Sequence, residues 1–202
     1  SVGETVQHGI GLLKGIAALH RLEVAHRDIK PANIHLGRDG RLRILDLGVA
    51  VSESEEDGSV GSPGTPSYRA PELFAGEPAG PAHDLYAVGV TLYHLLTRKY
   101  PYGEIEPFQH PRFTMPVPPT RYRPDIPGWL ENILLKAVAK EAAHRFETPE
   151  EFVLALERGA TRPLSRPPTT PLAMRNPLLT WRVVAALSLL LNLLLLMLLT
   201  RG

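Results

Sequence analysis

With 202 residues, 44% of them hydrophobic, the chain has room for one medium domain with appendages and hardly for two. Its formal net charge of +1 excludes a bulk nucleic-acid binder or an acidic tail, so no nucleic-acid partner is expected. The lack of cysteine excludes a disulfide framework, a thiolate metal site and thiol redox chemistry, and it fits a reducing compartment.

The first segment, VQHGIGLLKGIAALHRL, places Val6, Ile10, Leu13 and Ala17 on one helical stripe, which Leu12, Ile16 and Leu19 widen. A mostly buried helix is expected there. Gly9, Gly11 and Gly15 come near a nucleotide-binding G-x-G-x-x-G, but the third spacing is wrong and no strand precedes them. Close helix packing is the better account. Next, AHRDIKPANIHL gathers His26, Arg27, Asp28, Lys30 and Asn33 into a polar run between apolar segments. The stretch NIHLGRDGRLRILDLG then sets Ile34 and Leu36 against Leu42 and Ile44 about an Asp39-Gly40 turn, a hairpin whose second strand delivers Asp46 beside the polar run. Gly48 lets the chain leave Asp46 sharply. Further on, HDLYAVGVTLYHLL opens an apolar helix with Asp84 at its start.

The globular part is expected over residues 1–158. Residues 159–182, beginning GATRPLSRPP, are rich in proline and arginine and read as an extended linker. Val183 to Thr200, VVAALSLLLNLLLLMLLT, carries no formal charge and lies near the lower end of the roughly 17 to 25 residues that cross a bilayer. It is apolar on every face and has no obvious core to enter, so a single transmembrane helix over 183–200 is expected, with a buried core helix as the alternative. Arg158, Arg162, Arg166, Arg175 and Arg182 precede it and Arg201 follows, a bias that keeps the globular part cytoplasmic, with Trp181 at the interface. A removable lipid-anchor signal is the rival reading of such a tail.

Asp28, Lys30, Asn33 and Asp46 together supply two carboxylates, an ammonium and an amide, a set that phosphoryl transfer needs. One carboxylate orients an attacking hydroxyl and accepts its proton. A second carboxylate and an amide oxygen suit a hard Mg²⁺ ion on ATP phosphates, and the ammonium offsets charge on the transferring group. Each residue alone has a plainer reading: Asp28 as a turn cap, Lys30 as a solvated cation, Asn33 as a residue tolerant of a tight bend. The eight histidines show no trustworthy metal-ligand pairing.

AHRDIKPANI, then DLG, then GTPSYRAPE, in this order, resemble the catalytic loop, metal loop and activation-segment end of a protein kinase. The resemblance covers about residues 1 to 158. It implies a mainly α fold, the C-terminal lobe of a kinase with a small β-hairpin at the catalytic site. Lys30 two residues after Asp28, with GTPSY before APE, is similar to the serine/threonine branch rather than the tyrosine branch. By this resemblance Asp28 is the catalytic base, Lys30 contacts the transferred phosphate, Asn33 and Asp46 hold Mg²⁺, and Thr65 aligns Asp28 and Lys30. Asp84 would brace the catalytic loop. Glu72 would pair with Arg145 of AAHRF to pin the activation segment, and Arg27 would receive a phosphate carried by that segment. His26 is expected as a packed loop residue. Phosphate control is expected within residues 46–72, which carry Ser52, Ser54, Ser59, Ser62 and Ser67, with Ser59 or Ser62 favoured because they follow the acids Glu53 to Asp57.

The chain departs from the kinase pattern in DLG for DFG, which keeps an apolar residue, and in His35, which stands under the adenine where an aliphatic residue is common. No G-x-G-x-x-G-x-V loop and no V-A-I-K-like lysine precede the catalytic loop. The sequence therefore resembles a large lobe without its small lobe, expected to bind ATP weakly alone and to carry an apolar face where the small lobe would sit. YPYGEIEPFQHPRF, RYRPDIPGWLENILLKAVAKEAAHRFETPEEF and RNPLLTWR look like bacterial fusions in which a PP2C-type phosphatase domain precedes a serine/threonine kinase with a C-terminal anchor. The alternative to an enzyme acting on protein serine and threonine is a kinase-like membrane scaffold without catalysis.

Overall fold

In the computed structural model, which describes residues 1–47, 51–52, 66–109 and 111–161 with Ala185, Ser188 and Met197 beyond them, the first helix α1 spans Val2–His20. It buries the stripe its periodicity sets out: Val6, Ile10, Leu12, Leu13, Ile16 and Ala17 are all buried. The second helix, α2, runs Pro81–Thr97 with proline in its first turn, where the missing N–H costs nothing. Every residue from Asp84 to Tyr93 is buried, because a helix apolar on all sides must be surrounded. Helices α3, Gly128–Ala137, and α4, Pro149–Thr161, complete the core: α1 packs on α2 and α4, and α3 packs on both. Thr148 caps α4, its Oγ1 accepting the Glu151 N–H at 3.1 Å. Each fully buried leucine or isoleucine of this core contributes about 1.5–3 kcal/mol before entropy is counted.

Two of the four α1 glycines allow close packing. A Cβ at Gly9 would lie 2.9 Å from Leu92 of α2, and one at Gly15 would lie 2.9 Å from Ile44, whereas Gly11 meets only Leu42 at 4.0 Å.

Two short ladders position the polar segments. Strands β2, Ile34–Leu36, and β3, Leu42–Ile44, pair antiparallel with Ile34 opposite Ile44 and Leu36 opposite Leu42, the hairpin that the sequence implies, and Gly40 takes the left-handed turn position at φ 72°. Strand β1, Val24–Ala25, pairs antiparallel with β4, Val51–Ser52. Because β1 pairs with β4 and β2 with β3, the connection from β1 to β2 and the one from β3 to β4 run between the same two ladders. The first carries Asp28, and the second carries Asp46 next to Leu45, which hydrogen-bonds back to His26 and Asn33.

The compact unit that holds these elements covers residues 1–165, and a second covers 166–202. Helix α4 continues through Thr161, so residues 159–161, expected to open the linker, are helical instead. The reason is local: Gly159 is buried against the Trp129 ring, where any Cβ would collide. Among the described residues no helix is long and apolar enough to cross a membrane. The expected span 183–200 lies, but for Ala185, Ser188 and Met197, outside the described residues, as do residues 162–182 of the linker.

Candidate active site

The loop between β1 and β2 hangs on Asp84. This carboxylate, 1% exposed, accepts the backbone N–H of His26 at Oδ2 and that of Arg27 at Oδ1, both at 2.8 Å. Arg27 is thereby held at φ 68°, a left-handed conformation that costs a non-glycine residue about 1–2 kcal/mol. His20, at the end of α1, adds its Nε2 at 2.9 Å from Asp84 Oδ2. Sequence reasoning missed His20, whose only signal is a polar residue ending a buried stripe.

His26 is fully buried, as expected of a packed loop residue. Its Nδ1 accepts the Asp28 N–H at 3.3 Å, which leaves Nε2 to donate to the Leu45 carbonyl at 3.0 Å. The Leu45 N–H in turn donates to the Asn33 carbonyl at 2.8 Å. Through these bonds the β3 end, one residue before Asp46, is tied to the polar loop.

Asp28, Lys30 and Asn33 meet directly. Lys30 Nζ stands 2.7 Å from Asp28 Oδ2, and Asn33 Nδ2 donates to that oxygen and to the Asp28 carbonyl, each at 2.8 Å. Both neighbours take Oδ2. The two donations also fix the Asn33 amide, turning its Oδ1 away from Asp28. Asp46 is exposed at φ 62°, one more left-handed non-glycine residue beside the loop. An amide oxygen and a carboxylate are donors of the kind taken by Mg²⁺, an ion that keeps several waters and shares its shell with phosphate. His35 lies exposed on β2 opposite Arg43. Around the hairpin, Leu36, Leu45 and Leu47 are exposed by 49%, 45% and 52%.

Glu72 and Arg145 form a bidentate pair, Nη1 to Oε1 at 2.6 Å and Nη2 to Oε2 at 2.7 Å. Arg145 also donates to the Ala139 and Lys140 carbonyls, both at 2.7 Å, and lies over the Tyr86 ring at 4.7 Å. His83 accepts the Gly80 N–H at Nδ1, so its Nε2, 3.2 Å from Glu72 Oε1, is the donor to that carboxylate. Burial acts to raise the Glu72 carboxyl, yet the hydrogen bonds from Arg145 and His83 outweigh it and hold the group well below the usual carboxylate range. The Arg27 Nε is buried without a hydrogen-bond partner among the described residues. Ser67 is buried and accepts the Ile105 N–H at 2.9 Å, which ties its hydroxyl into the fold. Thr65, Gly48, Ser54, Ser59 and Ser62 lie outside the described residues.

Residues 4–126 match the family model of the protein kinase domain. Among similar proteins are a probable serine/threonine-protein kinase of Streptomyces coelicolor, 33% identical over 161 residues (76% of this chain, 24% of the relative), and the serine/threonine-protein kinase PrkC of Bacillus subtilis, 35% identical over 147 residues (70% and 22%). The tyrosine-protein kinase MasK of Myxococcus xanthus is 37% identical over 158 residues (75% and 24%). The chain thus spans about a quarter of the length of these curated relatives.

Proposed function

Because the chain belongs to the protein kinase family, we propose that it is the catalytic lobe of a serine/threonine protein kinase, transferring the γ-phosphoryl group of ATP to protein hydroxyls. The observation that carries this reading is the Asp28 carboxylate, oriented through Oδ2 by Lys30 and Asn33. Asp28 accepts the proton as the hydroxyl attacks, and Lys30 offsets charge on the phosphoryl group as it moves. Asn33 and Asp46 would hold Mg²⁺, which when bound neutralises charge on the ATP phosphates. Thr65 aligns Asp28 and Lys30, His35 sits against the adenine, and Arg27 receives a phosphate from the activation segment. Asp84 and the Glu72–Arg145 pair hold the loops in place. Lys30, two residues after Asp28, favours serine and threonine over tyrosine.

The exposed leucines about the hairpin suit docking of a small lobe, whose phosphate-gripping lysine is not found among residues 1–202; these residues alone bind ATP weakly. Residues 183–200 tether the kinase to a membrane, with the lobe on the cytoplasmic side, a reading supported by the uncharged stretch and the arginines before it. An upstream PP2C-type phosphatase domain rests on the sequence resemblance alone.

The test is Mg²⁺- and ATP-dependent phosphate transfer by the full-length protein, with phosphoamino-acid analysis of the product. Phosphoserine or phosphothreonine should form, and Asp28→Ala should reduce the rate by about 10²–10⁴-fold. Transfer that persists unchanged in Asp28→Ala, with contaminating kinases excluded, refutes the assigned chemistry, and phosphotyrosine as the product refutes the serine/threonine assignment.

A further inference from the structure

A cavity of about 270 Å³ opens beside Asp28, walled by Lys30, Ala32, Tyr68, His94, Arg98 and Tyr100. No carboxylate lines it. Its aromatic walls are set by their own packing: the His94 and Tyr100 rings stack at 4.5 Å and 20°, and Tyr68 stands edge-on to Tyr100 at 5.5 Å and 88°. Burial, with the Tyr100 hydroxyl beside it, pushes the Tyr68 phenol well above its ordinary value, so it remains a donor. Burial pushes the His94 imidazole down, against a backbone hydrogen bond at Lys99 that raises it, and its Nδ1 is buried with no partner among the described residues.

The charge comes from Arg98, since Lys30, also on the wall, stands 2.7 Å from the Asp28 carboxylate. Arg98 ends α2 at φ 57°, with its N–H on the His94 carbonyl at 2.8 Å, a left-handed cap where glycine is the unstrained choice. An arginine there costs about 1 kcal/mol relative to glycine, and it puts an exposed guanidinium at the cavity wall. The Arg98 guanidinium, a phenol and an imidazole nitrogen with no partner among the described residues make a site for a carboxylate, beside a lysine already paired with Asp28. Lys30 belongs at once to this wall and to the 2.7 Å pair with Asp28, so whatever fills the cavity lies next to the hydroxyl that Asp28 serves.

We propose that this cavity seats an aspartate or glutamate side chain of the protein substrate, a few residues from the serine or threonine that receives phosphate. The inference rests on the kinase reading of Asp28 and names the substrate class: proteins with an acidic residue near the acceptor. Basic residues at that position are disfavoured by Arg98, which supplies repulsion as well as attraction.

The experiment uses the full-length protein and fluorescein-labelled peptides that place a single glutamate or lysine at each of the positions flanking one acceptor serine. Binding is read by fluorescence anisotropy and phosphate transfer is read in parallel. At one flanking position glutamate should bind about three- to tenfold more tightly than lysine, the range for a partly exposed charge pair. Arg98→Glu should reverse that order. Arg98→Gly, which relieves the left-handed strain, should melt no lower than the unsubstituted protein and bring the ratio close to one. Equal binding of the glutamate and lysine peptides at every position, or a glutamate preference that survives in Arg98→Glu, overturns the proposal. The binding arm needs no catalysis: glutamate-selective binding reversed by Arg98→Glu, without Asp28-dependent transfer, supports the cavity and sinks the kinase reading, whereas transfer without any acidic preference does the opposite.

Discussion

Asp84 Oδ1 holds the Arg27 backbone N–H at 2.8 Å and so fixes a left-handed residue immediately before Asp28. The other oxygen takes the His26 N–H and His20, so one buried carboxylate satisfies three donors. Asp84→Asn replaces one acceptor oxygen with an NH₂ group that faces a donor. The unpaired group should cost about 1–3 kcal/mol of stability, and the released loop should lower kcat by roughly 10²-fold, since displacement of a catalytic group by about 1 Å has that effect. Urea unfolding and single-turnover transfer measure the two. An unchanged kcat in Asp84→Asn would show that Arg27 is set by other bonds.

The Glu72–Arg145 pair predicts an acid-sensitive stability. The Glu72 carboxyl is depressed in the folded state, so its contribution is fully present above its ordinary value of 4.5 and is lost as pH falls below that value toward the folded one. Arg145→Met should cost about 3–5 kcal/mol at neutral pH, because it leaves a partly buried carboxylate and two buried carbonyls without their partner. The same substitution should flatten the loss of stability below pH 4.5. Urea midpoints measured from pH 7 to pH 3 in both proteins decide this, and identical acid slopes would remove Glu72 as the titrating group.

How far the fold could be read beforehand depended on range along the chain. Val6, Ile10, Leu13 and Ala17 announce α1 because their spacing matches the helix, and the Asp39-Gly40 turn announces the hairpin with its register. Asp28, Lys30 and Asn33 meet because a single 3-10 turn, Pro31–Asn33, folds them together within a few residues. The β1–β4 ladder was not legible, since two-residue strands carry no alternation. His20 reaching Asp84, 64 positions away, and Arg145 taking the Ala139 and Lys140 carbonyls are products of tertiary packing with no local signature. The left-handed arginine at 98 was hidden for a different reason: sequence rules assign such caps to glycine.

Gly89 and Gly3 should respond oppositely to alanine. A Cβ at Gly89 would lie 2.7 Å from the Ala137 Cβ and 3.2 Å from the Ala137 carbonyl carbon, so α2 and α3 would have to separate. Overpacking of this kind costs about 1–3 kcal/mol, more than the gain of about 1 kcal/mol from replacing a helical glycine. Gly3, also helical, has nothing within 4 Å of an added Cβ. Gly3→Ala should raise the urea midpoint and Gly89→Ala should lower it; a stabilised Gly89→Ala would mean that the helix contact is looser than the Ala137 distances imply.

The tail makes the last prediction. Residues 183–200, if helical, would rise about 1.5 Å each and reach roughly 27 Å, just short of a hydrocarbon layer of about 30 Å. So short a span leaves no reserve for tilt and little tolerance for a charge at its middle. Deletion of 183–202 should move the protein from the membrane pellet to the supernatant. The urea unfolding of the unit at residues 1–165 should stay as it was, since that unit is compact by itself. Leu193→Arg, at the centre of the stretch, should cost about 2.5–3.5 kcal/mol of insertion and give a partial version of the same shift, whereas Leu193→Ile should give none. Alkaline carbonate separates spanning from surface attachment. Release of the intact protein by carbonate as readily as the deletion variant would rule out a bilayer-spanning helix and return the apolar stretch to a packing role.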